Sequence, residues 1–174
     1  MVELVCHPDT PSHAVTGIAV HATRTAEGKL ALHYSISGQI AKLRVPPPGP
    51  AKIGWKLWRH TCCELFVREK NAAEYREFNF SPSGEWTIYA FSNYREGGPQ
   101  ADESMNPQIA VQSGPGRLDL YALADLKGYG KTPLVAGLAT VIEEESGSIS
   151  YWALRHAPGK PDFHHASAFS LELP

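Results

Sequence analysis

Residues 58–97 read WRHTCCELFVREKNAAEYREFNFSPSGEWTIYAFSNYREG, and three short segments within them alternate apolar and polar side chains. Cys63, Leu65 and Val67 point one way and Glu64 the other; Phe78 and Phe80 oppose Glu77 and Asn79; Trp86, Ile88 and Ala90 oppose Thr87, Tyr89 and Phe91. Successive side chains of a strand leave opposite faces, so this period of two predicts three strands. Pro82, Ser83 and Gly84 supply the turn between the second and third. The hairpin presents Glu64, Asn79, Trp58 and Arg95 on or beside one sheet face. Rings next to a fixed carboxylate, amide and guanidinium suit a sugar, which offers an apolar C–H face and a rim of hydroxyls.

The pattern continues on both sides of this stretch. Ile18, Val20 and Ala22 alternate with Ala19, His21 and Thr23, and Leu30, Leu32, Tyr34 and Ile36 with Ala31, His33, Ser35 and Ser37. Ile40 to Val45 reads as a further strand, ended by Pro46-Pro47-Pro48-Gly49-Pro50, because proline supplies no ladder donor. That run is a stiff surface loop, since strand pattern resumes beyond it. Residues 1–13 read as a lead-in or edge segment and 95–106 as a polar loop. Ile109 with Val111, Leu118 to Ala122, and residues 133–143 read as strands. Ala124-Asp125-Leu126 with Gly128-Tyr129-Gly130 predicts one helical turn. Ser146-Gly147 turns the chain into Ile149, Tyr151 and Ala153, which alternate with Ser150, Trp152 and Leu154; residues 156–165 are a loop, and Phe169, Leu171 and Leu173 a last strand. Nine or ten short strands without a long amphipathic helix predict an all-β, antiparallel, jelly-roll-like β-sandwich. A chain of 174 residues is expected to form one domain over residues 1–174, with its core from about residue 14.

A net charge of −2 gives no field that would draw the protein to nucleic acid or an anionic membrane. No apolar run is long enough to span a bilayer. The first residues lack a basic leader and apolar stretch, so a cytoplasmic location is expected. The three cysteines, Cys6, Cys62 and Cys63, are an odd number with a vicinal pair, which argues against a disulfide framework. Oligomeric state is not read from the sequence.

Trp55 and Trp58 flank a polar Lys56, and one is predicted inward and the other outward. Glu64 interrupts an apolar strand; the bland reading is a solvated outer-face carboxylate, and a ligand role needs a ring and a donor beside it, which Trp58 and Arg95 supply. Arg95-Glu96 at a strand end reads equally as a solvated ion pair or as a functional loop. His164 and His165 are adjacent and cannot share a metal as i, i+4 helical histidines do; no HxH, CxxC or HExxH occurs. They read as a hydrogen-bonding loop histidine and a stacking ring. Asp162 with a histidine suggests an acid–base pair, but no Ser or Cys nucleophile sits in an elbow. GYGK at 128–131 lacks the phosphate-loop pattern, and Glu143, Glu144 and Glu145 read as a solvated strand end.

LWRHTCCELFV, EFNFSPSGEWTIYAFSNYREG and SYWALRH with KPDFHHASAFSLEL together resemble the DOMON-like superfamily of β-sandwiches, and within it bacterial proteins similar to family 9 carbohydrate-binding modules. The resemblance runs from roughly Ile18 to the C-terminus. It implies an aromatic sandwich around a sugar, with Trp58 as first wall, Glu64 as the carboxylate six positions on, and Arg95 as a looser match to the family's arginine. The second wall falls to Phe163, His164 or Trp152. Where the family usually has an aspartate before the Glu strand, this chain has Thr61-Cys62. The superfamily also includes haem-binding domains ligated by methionine and histidine, for which Met105 with His164 or His165 is the available pair; a loop residue without a ligand is the preferred reading of Met105. The expectation is therefore a non-catalytic module without cofactor or metal, binding a small carbohydrate through Trp58, Arg59, Glu64, Asn79, Tyr94, Arg95, Trp152, Phe163, His164 and His165. A haem-binding domain is the alternative, and a glycan hydrolase using paired carboxylates the third reading.

Overall fold

The computed structural model describes residues 1–126, 128–129 and 132–173. Among them are thirteen strands: Val2–Cys6 (β1), Val15–Arg24 (β2), Lys29–Gly38 (β3), Lys52–Ile53 (β4), Cys62–Glu69 (β5), Tyr75–Phe80 (β6), Glu85–Asn93 (β7), Glu96–Pro99 (β8), Gln108–Gly114 (β9), Arg117–Asp125 (β10), Leu134–Glu143 (β11), Ile149–Ala153 (β12) and Leu171–Leu173 (β13). No described helix is long and apolar enough to cross a membrane.

The strands form two sheets that share β1. One runs β1-β2-β3-β10-β9; the other runs β4-β7-β6-β5-β11-β12-β1, with β8 beside β7 and β13 beside β11. Among the described strands, β4 with β7 is the one parallel pair. Each sheet turns one alternate set of side chains inward. Ile18, Val20, Leu30, Tyr34, Ile36, Leu118 and Leu120 of the first sheet meet Cys63, Leu65, Val67, Phe78, Phe80, Trp86 and Leu138 of the second in one core. Tyr34 crosses that core and donates its hydroxyl to the Glu64 carbonyl at 2.8 Å. The predicted all-β sandwich is the observed fold.

Several elements differ from the sequence reading. The first residues are no lead-in: β1 pairs with β2 through Val2–Leu4 and with β12 through Val5 and Cys6, so it stitches the sheets together. Ile40–Lys42 is a 3-10 turn instead of a strand, with Ile40 and Leu43 both buried three residues apart. That spacing suits a tight helical turn, and a crossover between sheets needs one. The loop after residue 95 contains β8. Asp125 ends β10, so no helical turn occupies Ala124–Leu126; Gly130 lies outside the described residues.

The second sheet is covered on its outer face as well. Residues 156–170 form a strap across it, where Phe163 and Phe169 pack edge-on to Phe66 at 6.2 and 6.4 Å between centroids. Phe66, Tyr75, Ala139, Val141, Ala153 and Phe163 make a second, smaller core there. Every position of β11 is consequently buried. The strap comes so close at Gly137 that a Cβ would lie 2.9 Å from the Ala168 carbonyl oxygen. Backbone cannot yield as a side-chain tip does. We expect Gly137→Ala to destabilise the protein by about 1–3 kcal/mol and to expose residues 156–170 to proteolysis; thermal unfolding with limited digestion checks both, and an unchanged strap would refute the packing account.

Candidate functional site

Between the outer face of the second sheet and the strap lies a hollow of about 620 Å³. Its floor follows from the alternation. Glu64 and Phe66 of β5, Glu77 of β6, Tyr89 and Phe91 of β7, Val141 of β11 and Tyr151 of β12 all leave the face opposite the main core. The strap supplies Lys160, Phe163 and His164, and the β7–β8 turn supplies Arg95.

Trp58 stands at the rim. Leu57 is buried and anchors the 3-10 turn Leu57–Arg59, while Lys56 ahead of it takes a left-handed φ of 57°. Both tryptophans of this loop remain outside the core, Trp58 43% and Trp55 62% exposed, against the expected split; the inward position goes to Leu57. Only Trp58 lines the hollow. Burial raises the Tyr89 hydroxyl's pKa, partly offset by bonds from the Lys56 backbone and the Trp58 indole.

Two carboxyl groups lie at the bottom. Glu64 is 2% exposed, and its Oε1 has no hydrogen-bond partner among the described residues. It is not the solvated carboxylate of the bland reading. Burial holds its pKa well above the carboxylate range, and the neighbouring Glu77 adds to the effect. Register pairs Glu64 with Asn79 and Phe66 with Glu77, so the acids are diagonal neighbours on adjacent strands. Glu77 Oε1 accepts from Asn79 Nδ2 at 2.6 Å. Burial pushes Glu77 up to about 7, with the Asn79 bond and the Arg95 charge pulling the other way. Asn79 leaves the same face as Glu64 and Glu77, is fully buried beside them, and meets Glu77 and the Cys62 thiol.

His164 sits in a nest of rings, edge-on to Phe66 and Phe91, each at 5.1 Å. Burial and the Arg95 charge draw its pKa down to about 4, so the ring is neutral near pH 7. The Arg95 backbone N–H donates to the Tyr75 oxygen at 3.0 Å, and the Tyr75 hydroxyl lies 2.8 Å from His164 Nδ1. If Tyr75 donates onward to Nδ1, the His164 proton is on Nε2, 3.6 Å from Glu77 Oε2. With the ring neutral, that contact is not an ion pair.

Arg95 also has a left-handed φ, 57°. Its guanidinium donates to Asp162 Oδ1 at 2.9 Å and to the Tyr94 oxygen at 3.3 Å, while the Tyr94 hydroxyl donates to Asp162 Oδ2 at 2.7 Å. Tyr94 thus holds Arg95 in place from outside the hollow, and Asp162 is its partner and not the second half of an acid–base pair. The Asp162 carboxyl accepts the His164 backbone N–H as well.

The structure brings Trp58, Glu64, Arg95, Phe163 and His164 of the predicted set into one hollow, with Asn79 buried beside its floor and Tyr94 behind Arg95. Three are elsewhere. Trp152 belongs to the main core and donates its indole N–H to Ser150 Oγ; Tyr151, one residue earlier, takes the pocket face. His165 is exposed and accepts the Ser167 N–H at the start of a 3-10 turn. Arg59 covers the Trp58 ring from solvent at 5.2 Å and does not line the hollow. Met105 packs against the main core, so it shares no cavity with His164. Glu143 and Glu144 are buried, not solvated. Glu143 binds Arg44 and His60, and Glu144 accepts from Ser12 and the His13 N–H. Among the described residues no three His, Cys, Asp or Glu side chains converge as metal ligands. Phe66, Glu77, Tyr89, Phe91 and Tyr151 complete the hollow; their shared face with Glu64 was the available signal.

The fold is similar to that of a Bacteroides uniformis protein to which carbohydrate binding is provisionally ascribed, with a TM-score of 0.67 at 15% identity over 99% of this chain and 83% of that one. It is also similar to a family 9 carbohydrate-binding module of Caldicellulosiruptor kristjanssonii in complex with glucose, TM-score 0.53 at 13% identity over 91% and 76% of the two chains. The cellotriose complex of a family 9 module from the same organism gives 0.54 at 12% identity over 99% and 81%. No family model and no curated protein matches the sequence.

The buried acids make stability depend on pH in a defined sense. Glu77 keeps in the folded state a proton that the unfolded chain releases near 4.5, so its contribution is complete below 4.5 and is lost as pH rises through about 7; Glu64 acts in the same direction, higher. His164 opposes them: the unfolded ring takes a proton near 6.5 that the folded ring refuses down to about 4, so stability is lost as pH falls through that window. Glu64→Gln should therefore raise Tm at pH 8 by about 2 °C or more and by less at pH 5. Equal shifts at both pH values in scanning calorimetry would show that Glu64 carries no elevated pKa.

Proposed function

We propose that this chain is a non-catalytic carbohydrate-binding module, working without cofactor or metal, and that the hollow at the outer face of the second sheet holds a small sugar. The observation that carries the reading is the half-exposed Trp58 ring at the mouth of a cavity whose floor holds Glu64 and Glu77 and whose wall holds Arg95. A pyranose presents C–H faces to rings and O–H groups to carboxyl and guanidinium. Tyr89, Phe91, Tyr151 and Phe163 add apolar wall, with Phe163 facing inward from the strap. A volume near 620 Å³ falls in the range of small-molecule sites and accommodates one or two sugar rings.

What the similar folds bind agrees with this: the Caldicellulosiruptor modules are seen with glucose and cellotriose. Membership of the DOMON-like superfamily remains part of the proposal and rests on the motif residues. Charge-assisted hydrogen bonds contribute about 1.5–3 kcal/mol each, so a site of a few such bonds and two stacked rings reaches roughly micromolar to millimolar affinity.

One observation favours a second reading, glycan hydrolysis: two carboxyl groups with raised pKa face the same cavity, as an acid–base pair would. The binding reading expects no turnover of aryl glycosides, and turnover lost in Glu64→Gln would replace it. Haem binding has no such support, since Met105 and His164 lie on different sides of the second sheet; a Soret band after haem addition, lost in Met105→Ala, would restore it.

Trp58→Ala should weaken sugar binding at least about tenfold, the equivalent of about 1.4 kcal/mol, while Trp55→Ala, outside the hollow, leaves it within about twofold. Titration calorimetry over a mono- and disaccharide panel, with circular dichroism of each variant, reads the result. Wild-type affinity in folded Trp58→Ala would remove this site from consideration.

A further inference from the structure

Two acids occupy the closed end of the hollow, and among the described residues the only side-chain donor bonded to either is the Asn79 amide on Glu77. Glu64 is almost wholly buried with Oε1 unpartnered. Arg95 and Lys160 line the hollow, but among the described residues neither forms an ion pair with Glu64 or Glu77. Arg95 is clamped by Asp162 and Tyr94, Lys160 is exposed on the strap, and His164 offers Glu77 a ring N–H at best, at 3.6 Å. Around the acids stand the faces and edges of Trp58, Tyr89, Phe91, Tyr151 and Phe163.

We propose that the preferred ligand is an amino sugar, whose ammonium group sits over Glu64 and Glu77 while its ring stacks against the aromatic wall. This rests on the carbohydrate-binding reading of the same hollow. A neutral hexose bonds the acids through hydroxyls but brings no countercharge, so either the proton stays on Glu64 or a bare carboxylate stays buried. An ammonium brings three N–H donors and one positive charge. It satisfies the orphan oxygen, pairs the carboxylate at short range and lies among π faces that attract cations. In the exchange a neutral carboxyl gives its proton to solvent and the ammonium takes its place beside the carboxylate, so one proton is released for each sugar bound. The titratable and charged groups around Glu64 are Cys62 on the same face of its own strand, Glu77 on β6, Tyr89 on β7, Tyr151 on β12, Arg95 on the β7–β8 turn, and Lys160, Asp162 and His164 on the strap, with Cys63 and Tyr34 behind it on the core side. Of these, Glu77 is the carboxyl beside it in the closed end of the cavity, and burial raises its pKa as well, to about 7.

The test is titration calorimetry of the whole chain with glucosamine, glucose and N-acetylglucosamine at pH 6, in two buffers of different ionisation enthalpy. Glucosamine should bind about tenfold or more tightly than glucose and release about one proton. N-acetylglucosamine, whose amide is uncharged, should show neither gain. Glu64→Gln should bring the glucosamine-to-glucose ratio down towards one and abolish the proton release, and Glu77→Gln gives a second reading if that variant does not fold. Glucose binding at least as tight as glucosamine, with no proton released, overturns the amino-sugar inference and leaves the carbohydrate reading standing. Absence of binding by all three to folded protein overturns both.

Discussion

Strand β5 is buried on both faces, and the chain nonetheless places a carboxyl group on it. Inward, Cys63, Leu65 and Val67 join the core between the sheets. Outward, Phe66 is roofed by the strap and Glu64 shares that roofed face. An ion moved into such a place loses several kcal/mol of hydration. The group answers by keeping its proton, as do Glu77 beside it in part and His164 above it in the opposite sense. The protonation states of the site are therefore consequences of where the strap lies, not of the residues' ordinary chemistry.

The strap in turn depends on small features of the sheet. Gly137 lets the Ala168 carbonyl approach. Tyr75, stacked on Phe91 at 4.6 Å, lies between the Arg95 backbone and the His164 ring. Asp162 gathers the Tyr94 hydroxyl, the Arg95 guanidinium and the His164 N–H on one carboxylate. The β7–β8 turn and the strap are thus cross-linked by polar bonds around a ring nest. A wall built this way holds its shape without a ligand, which limits the conformational entropy lost on binding.

The period of two disclosed the sandwich, because alternation follows from strand geometry alone, but it did not join Glu77, Tyr89 and Phe91 to the face of Glu64, which depends on register between strands. It also separated Tyr151 from Trp152, but not which of the two faces the core; that is set by the pairing of Tyr151 with Val141, a contact between strands that no local pattern contains. Size misled at residues 55–58, where two indoles stay outside and a leucine goes in. Short segments failed for the same reason. Residues 2–6 are a strand because β2 and β12 flank them, and residues 40–45 turn because the chain changes sheets. Above all, the sequence could not show that residues 156–170 cover the sheet at Glu64, nor that loops distant in sequence close over Glu143 and Glu144, which read as solvated when both are buried.

Those buried acids are not equivalent. Glu143 and Glu144 have partners for their oxygens: Arg44 and His60 for one, Ser12 and the backbone N–H groups of His13 and Ala14 for the other. Each ties a loop to the end of β11, and folding alone accounts for it. Glu64 ties nothing. A leucine at that position would bury its side chain on the roofed face without any polar group to satisfy, and by the ordinary balance of burial it would make the sheet more stable. Natural folds break local rules of this kind where something other than stability fixes the residue. Packing and hydrogen bonding explain Glu143 and Glu144 and leave Glu64 Oε1 without a partner among the described residues; that open oxygen, at the closed end of the hollow, is what the proposed ligand site rests on.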